Sequence, residues 1–163
     1  MSKQIPLTQG KFALVDDEDF EFLSQWKWLY HKGYAVRNRF IGVFKKYKKV
    51  EHICMHRVIV NTPVGKETDH VNGDKLDNRK ENLRICTREQ NSRNRKLDID
   101  STSGFKGVFW MGERQKWRSG IRVNSKFLYL GYFKTALEAA KAYNIAARRY
   151  FGRFARLNIL QEA

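Results

Sequence analysis

Between Glu67 and Asn91 the chain changes character three times in quick succession, and this constrains the fold more than any other segment. A short run ends in Asp69-His70. A polar loop follows, Asn72-Gly73-Asp74-Lys75-Leu76-Asp77-Asn78, whose Asn, Asp and Gly residues favour turns over helix. Leu83-Arg84-Ile85-Cys86 then reads as a second short strand. Thr87 and Gln90, three residues apart, form a capping box that starts a helix. The order is strand, loop, strand, helix, running from about Glu67 to Lys96 as one finger. Two strands this short need support from other elements.

Charge narrows the partner. The 163 residues carry 32 Lys and Arg against 17 Asp and Glu, a net charge of +15 and a pI near 10. A field of that sign favours a polyanion, nucleic acid or an acidic membrane surface. The excess is +7 over residues 1–99 and +8 over residues 100–163, so the last third is the more basic per residue and two contact surfaces on one duplex are expected. No apolar run is long enough to span a membrane, and residues 1–12 lack the apolar core of a signal peptide. Cys54 and Cys86 stand alone, outside any CxxC pair, which argues against structural zinc and for a reducing, cytoplasmic setting.

The remaining segments suggest supporting structure. Residues 4–15 read as one strand, and Asp16-Asp17-Glu18-Asp19 open a helix. Phe20 and Leu23 form a core stripe on that helix. Residues 34–39 and 43–50 read as hairpin strands, the second rich in lysine, which can protect an edge strand or touch DNA. Residues 53–60 read as a short helix. From 105 to 133 three short strands are separated by turns near Gly112-Glu113-Arg114 and Asn124-Ser125. Thr135 and Glu138 form a second capping box, and the helix from Leu137 to Tyr150 ends at Gly152, which suits a left-handed cap. Its buried stripe reads Ala139, Ala142 or Tyr143, Ala146 and Tyr150. The fold class is α+β: an N-terminal antiparallel sheet with a ββα finger, joined by a basic tether to a three-stranded antiparallel sheet packed on one helix.

The first unit resembles the HNH homing endonucleases of phages and group I introns. The resemblance rests on His56-Arg57, Asp69-His70, Asn82-Leu83-Arg84 and Thr87-Arg88-Glu89-Gln90-Asn91. The last signature position is Asn91 and not His, a His-Asn-Asn variant. The resemblance implies that His70 is the general base, with a near-neutral pKa suited to taking a proton from water. It implies that Asn82 braces the loop and orients His70. It also implies that Asp69 and Asn91 ligate one Mg²⁺ or Mn²⁺, cations that favour oxygen donors. The loop acids Asp74 and Asp77 echo a calcium loop, but the bidentate Glu of such a loop is missing.

Residues 104–158 resemble the Apetala-two DNA-binding domain of plant ethylene-response factors. The matching residues are Gly104 to Val108, Lys116-Trp117, Ile121-Arg122, Tyr129-Leu130-Gly131 and Thr135 to Tyr143, with Leu157-Asn158. Phe109 and Met111 stand where the plant domains have arginines, so the plant target is not carried over. The resemblance implies that an open sheet face enters the major groove. Lys106, Trp110, Arg118, Arg122 and Tyr129 are expected to contact DNA there, with Arg93, Arg95 and Lys96 of the tether on phosphates. The expected organisation is a nuclease domain over 1–96, a linker over 97–103 and a DNA-binding domain over 104–160. The expected function is site-specific cleavage of double-stranded DNA by a monomer, with no membrane partner. The competing readings are a non-catalytic DNA-binding regulator and a nonspecific or RNA-directed nuclease.

Overall fold

A computed structural model describes residues 1–95, 97 and 101–160. The chain divides into two units, Met1–Asn91 and Ser92–Ala163. Among the described residues there are four α-helices and several small antiparallel sheets, a mixed α/β architecture consistent with an α+β class. No helix among them is long and apolar enough to cross a membrane.

In the first unit, β1 (Ser2–Pro6) and β2 (Phe12–Asp16) form a hairpin with Ile5 opposite Ala13. The expected single strand over 4–15 is therefore two, broken by a tight turn at Thr8–Gly10 where Gln9 and Gly10 take positive φ. Helix α1 (Asp17–Ser24) follows at once, with Asp17, Glu18 and Asp19 in its first turn. Ile5, Ala13, Val15, Leu23, Trp28, Ala35 and Met55 make the core. The Trp28 indole N–H donates to the Leu23 carbonyl at 2.8 Å, so the largest buried side chain hides no bare donor.

Strands β3 (Leu29–His31), β4 (Tyr34–Phe44) and β5 (Tyr47–Cys54) form a sheet in that order. The lysine-rich segment is not one strand: Lys45 and Lys46 are the turn, both at positive φ. Helix α2 (Met55–Ile59) is shorter than expected, because residues 53 and 54 still pair within β5. Then β6 (Glu67–His70) pairs with β7 (Leu83–Cys86), Asp69 opposite Arg84 and His70 opposite Leu83. Helix α3 (Arg88–Arg93) begins after Thr87, whose hydroxyl accepts from Gln90 N while the Gln90 amide oxygen accepts from Thr87 N.

The long loop between β6 and β7 is fastened to the hairpin. Leu14 N donates to Leu76 O at 2.9 Å and Asn78 N to Leu14 O at 2.7 Å. Lys80 N donates to the Asp16 carboxylate, and its ammonium meets Glu18 and Asp19. The acids that open α1 thus also anchor the loop, sixty residues away in sequence.

In the second unit, β8 (Val108–Met111), β9 (Lys116–Val123) and β10 (Lys126–Phe133) form an antiparallel sheet with β9 central. Helix α4 (Ala136–Phe151) covers one face. Its capping box at Thr135 and Glu138 is formed in full. Its buried side carries Ala139, Ala140, Tyr143, Ala146, Ala147 and Phe151; Tyr150 is exposed and Phe151 takes its expected place. Small residues let the helix approach closely. Gly107 marks the tightest point, at φ +74°, where a Cβ would lie 2.2 Å from the Tyr143 ring and 2.6 Å from Gly120 O. Gly152 has positive φ, but its ψ of −129° lies outside the left-handed helical region expected there.

Candidate active site

The loop after β6 is a lattice of side-chain hydrogen bonds. Buried Asn82 does most of the bracing: its Oδ1 accepts from Asn72 N at 2.9 Å and its Nδ2 donates to Asp77 O at 2.8 Å. Asn72 Nδ2 donates to the Asp77 carboxylate at 2.9 Å, and Arg79 donates to both oxygens of that carboxylate at 2.8 Å each. These bonds hold the Asp77 carboxyl below its usual range, the Arg79 hydrogen bond being the main cause. Asp74 caps Leu76 N at 2.9 Å. The Asp77 carboxylate is thus occupied on both oxygens.

His70 ends β6, buried against this lattice. Its Nε2 lies 3.4 Å from Asn78 Oδ1. The Asn78 amide is oriented by donation from its Nδ2 to Leu76 O, so oxygen faces the imidazole. An oxygen acceptor there suits a proton on Nε2. Burial pushes the His70 pKa down, and Asn78, Asp69, Asp74 and Asp77 pull it partly back. His56, on α2, meets His70 edge-on with ring centroids 5.0 Å apart, and Tyr34 of β4 lies 5.2 Å from His56. Lys75 sits over the Tyr34 ring at 4.3 Å. Burial first, then His70 and Arg57, depress the His56 pKa to about 3. A neutral His56 adds no positive charge to compete with protonation of its neighbour.

Asp69 precedes His70 on β6 and is buried with it. Arg84, directly across on β7, donates to its carboxylate through Nε at 2.8 Å and Nη2 at 2.5 Å. Glu67 shares the Asp69 face of β6 by the two-residue period. Asn91 on α3 donates from Nδ2 to Glu67 Oε2 at 2.7 Å. Asp69 and Asn91 are thus related through Glu67, and Asp69 holds a cationic partner of its own. Among the described residues no group of three or more His, Cys, Asp and Glu gathers to hold a metal. Asp69 and Asn91 carry oxygen donors of the kind a hard cation takes, with Asp69 paired to Arg84 and the Asn91 N–H₂ to Glu67.

Sequence reasoning gave Asn78, Glu67 and Tyr34 no part in the site, and it named Arg84 in the signature without its partner. Arg84 was legible from the Asp69 pairing only once the strand register was known. Tyr34 lies far away in sequence and is brought in by β4.

On the second unit, the face of the sheet away from α4 carries Phe109, Arg118, Arg122, Phe127 and Tyr129 by strand alternation and register. Arg118 lies 5.5 Å from the rings of both Phe109 and Phe127. Phe127 crosses Gly120, where a Cβ would stand 2.1 Å from its ring. Arg122 on central β9 and Tyr129 are exposed. Two expected members stand elsewhere. Trp110 pairs with Trp117, rings 5.1 Å apart, on the helix side of the sheet. Lys106 precedes β8, in a turn, and its ammonium donates to Arg93 O and Arg95 O at 2.9 and 2.7 Å. Arg93 stacks over the Phe151 ring at 4.8 Å. Lys96 lies outside the described residues.

Comparison with known proteins adds a domain match. Residues 55–93 match the HNH endonuclease family model. The chain is 29% identical over 153 residues to an uncharacterized HNH endonuclease of Acanthamoeba polyphaga mimivirus, covering 92% of this chain and 76% of that protein. It is 38% identical over 64 residues to protein 3.8 of Escherichia phage T7, covering 39% of this chain and 53% of that protein. No solved structure matches. The chain therefore carries an HNH endonuclease domain and is homologous to a viral HNH endonuclease, which supports a nuclease.

Proposed function

We propose that this protein is a site-specific DNA endonuclease of the homing type, hydrolysing a phosphodiester with His70 as general base. The observation that carries the reading is the buried His70, its Nε2 against Asn78 Oδ1, at the end of the strand that also bears Asp69. The His70 imidazole takes a proton from water. The hydroxide forms a new bond to phosphorus, the bond from phosphorus to the 3′ oxygen breaks, and that oxygen leaves with a proton from solvent. The products are a 5′ phosphate and a 3′ hydroxyl. Asp69 and Asn91 would hold one Mg²⁺ or Mn²⁺, which stabilises negative charge on the phosphate and the departing oxygen. Asn82 keeps the loop, and so Asn78, in register behind His70.

The second unit would read the target. Its open sheet face offers Arg118, Arg122 and Tyr129 to a groove, in the manner of the Apetala-two domains it resembles. Lys106 and Trp110 are not proposed for that face. Arg95 and Lys96 would meet phosphate without reading bases. Residues 1–96 act as nuclease, 97–103 as linker and 104–160 as reader, in a monomer working on DNA inside the cell.

Supercoiled plasmid carrying a cleavage site should be nicked in Mg²⁺ and left intact in EDTA. His70→Ala should cut about 10²- to 10⁴-fold more slowly, with duplex affinity within a few-fold of wild type. Cleavage at the wild-type rate by that variant would overturn the base assignment. Binding without cleavage by the wild type would favour a regulator.

A further inference from the structure

From the reading of this chain as a DNA endonuclease, we propose that the β4–β5 ribbon is a further DNA-docking element that enters a groove of the duplex. Strand β3 pairs with β4 only as far as Val36, so beyond it the sheet has just two strands. From Asn38 to Phe44 at about 3.4 Å per residue, the ribbon runs roughly 20 Å past that support. Phe44 and Tyr47, opposite one another at the tip, are 66% and 70% exposed. On the other face Phe40 and Val43 are 59% and 65% exposed. Both faces are therefore apolar and open. The turn at Lys45 and Lys46 is built for a tight hairpin, with both residues at positive φ, so the ribbon is a formed element.

Charge picks the occupant. Residues 40–50 contain Lys45, Lys46, Lys48 and Lys49 and no acid. Arg39 is neutralised at the base by Glu51, so the positive charge concentrates at the tip. Lysines alone would suit a protected edge strand. Lysines alternating with exposed aromatic and branched side chains on both faces suit a polyanion whose interior is apolar. A two-stranded ribbon fits a major groove about 12 Å wide, with thymine methyls for the apolar residues and phosphates on either wall for the lysines. The placement also matches. Tyr34, at the start of β4, lies 6.1 Å from the His70 ring. The ten residues from there to Phe44 span roughly 34 Å, about one turn of B-DNA. A duplex with a phosphate at His70 comes within reach of the tip.

The test uses the full chain and a random-sequence duplex, with binding followed by fluorescence anisotropy in EDTA across a salt series. Lys48→Gln with Lys49→Gln should lower the salt slope by about 2. Phe44→Ser with Tyr47→Ser keeps the charge; it should weaken binding several-fold and leave the slope unchanged. These side chains are exposed, so circular dichroism should be unaltered in both variants. Wild-type affinity and slope in both would overturn the proposal while leaving the nuclease reading intact. A wild type that neither binds nor cuts duplex DNA would sink that reading itself. A dimer in sedimentation that the aromatic variant dissociates, with DNA binding unchanged, would reassign the ribbon to a second copy. Loss of adhesion to phosphatidylserine vesicles, with DNA binding unchanged, would reassign it to a membrane.

Discussion

The finger around His70 and the open sheet face of the second unit treat polar side chains in opposite ways. Of the ten buried polar residues among those described, seven fall between His56 and Asn82. Nearly every one is tied to backbone or to another side chain, because a buried polar group without a partner costs about 1–3 kcal/mol. On the second unit the open face keeps Arg122 and Tyr129 in water and backs Arg118 with aromatic rings. Proton transfer needs a base whose ring cannot wander. Recognition needs donors that can exchange water for a partner at little cost. The first region spends stability on geometry, and the second holds chemistry in reserve at its surface.

The sharpest way to separate the two regions is to break one alone. Gly107→Ala places a methyl inside both the Tyr143 ring and Gly120 O, at a φ that disfavours any side chain. Strain and overpacking together should cost about 3 kcal/mol or more. Hydrogen exchange should show the second unit opening while β6 and β7 keep their protection. Equal loss of protection in both units would mean that they unfold together. Asn82→Ala is the converse. It removes the side-chain partner of Asn72 N and of the buried Asp77 O and should cost about 2 kcal/mol in the first unit. Cleavage should fall with it, since Asn78 loses its footing behind His70. A variant of native stability and native rate would show that Arg79 and Asn72 hold the loop without help.

What the sequence disclosed follows the range of the forces involved. Capping boxes at Thr87 and Thr135 are local, and both form where the spacing predicted. The turns at Gly112 and Asn124-Ser125 are equally local. The strand reading of 4–15 failed because Gln9 takes a conformation that Gly or Asn more often signals. The face of Trp110 was misplaced because alternation alone does not say which face is covered; α4 decides that from thirty residues away. Arg84 and Tyr34 were invisible as site neighbours for the same reason. Their contacts depend on strand register and on β4 passing beside α2.

Acid should act on the two regions unequally. The His56 pKa falls to about 3 on folding, and burial lowers that of His70 too. Below pH 6.5 the unfolded chain binds protons that the folded site refuses, so stability is fully present above that pH and declines as pH falls toward 3. Between pH 7.5 and pH 5, His56 alone accounts for about 2 kcal/mol. Amide exchange in α2 and β6 should report that loss, and His56→Gln should reduce it. The second unit's described residues include no histidine, so protection in α4 should move far less. Equal acid sensitivity in α4 and β6 would show that the loss does not arise at the histidines.

The smallest expected effect asks whether the reserve at the surface is specific. Arg122 lies on the central strand of the open face, opposite Phe127, and is exposed. A guanidinium that pairs with a guanine edge discriminates by about 1–3 kcal/mol, and the lower end suits a side chain held only at its base. Arg95 has no place on that face; a phosphate contact there carries only counterion release. Arg122→Ala should therefore weaken binding to a cleavable target by about 1–2 kcal/mol and to scrambled duplex by much less. Arg95→Ala should weaken both alike, with the salt slope reduced by about one. Measured across a salt series, these two variants separate base reading from phosphate holding. Equal losses on both duplexes for Arg122→Ala would move Arg122 into the phosphate class. The target would then be chosen by the shape of the duplex or by Arg118 between its two phenyl rings.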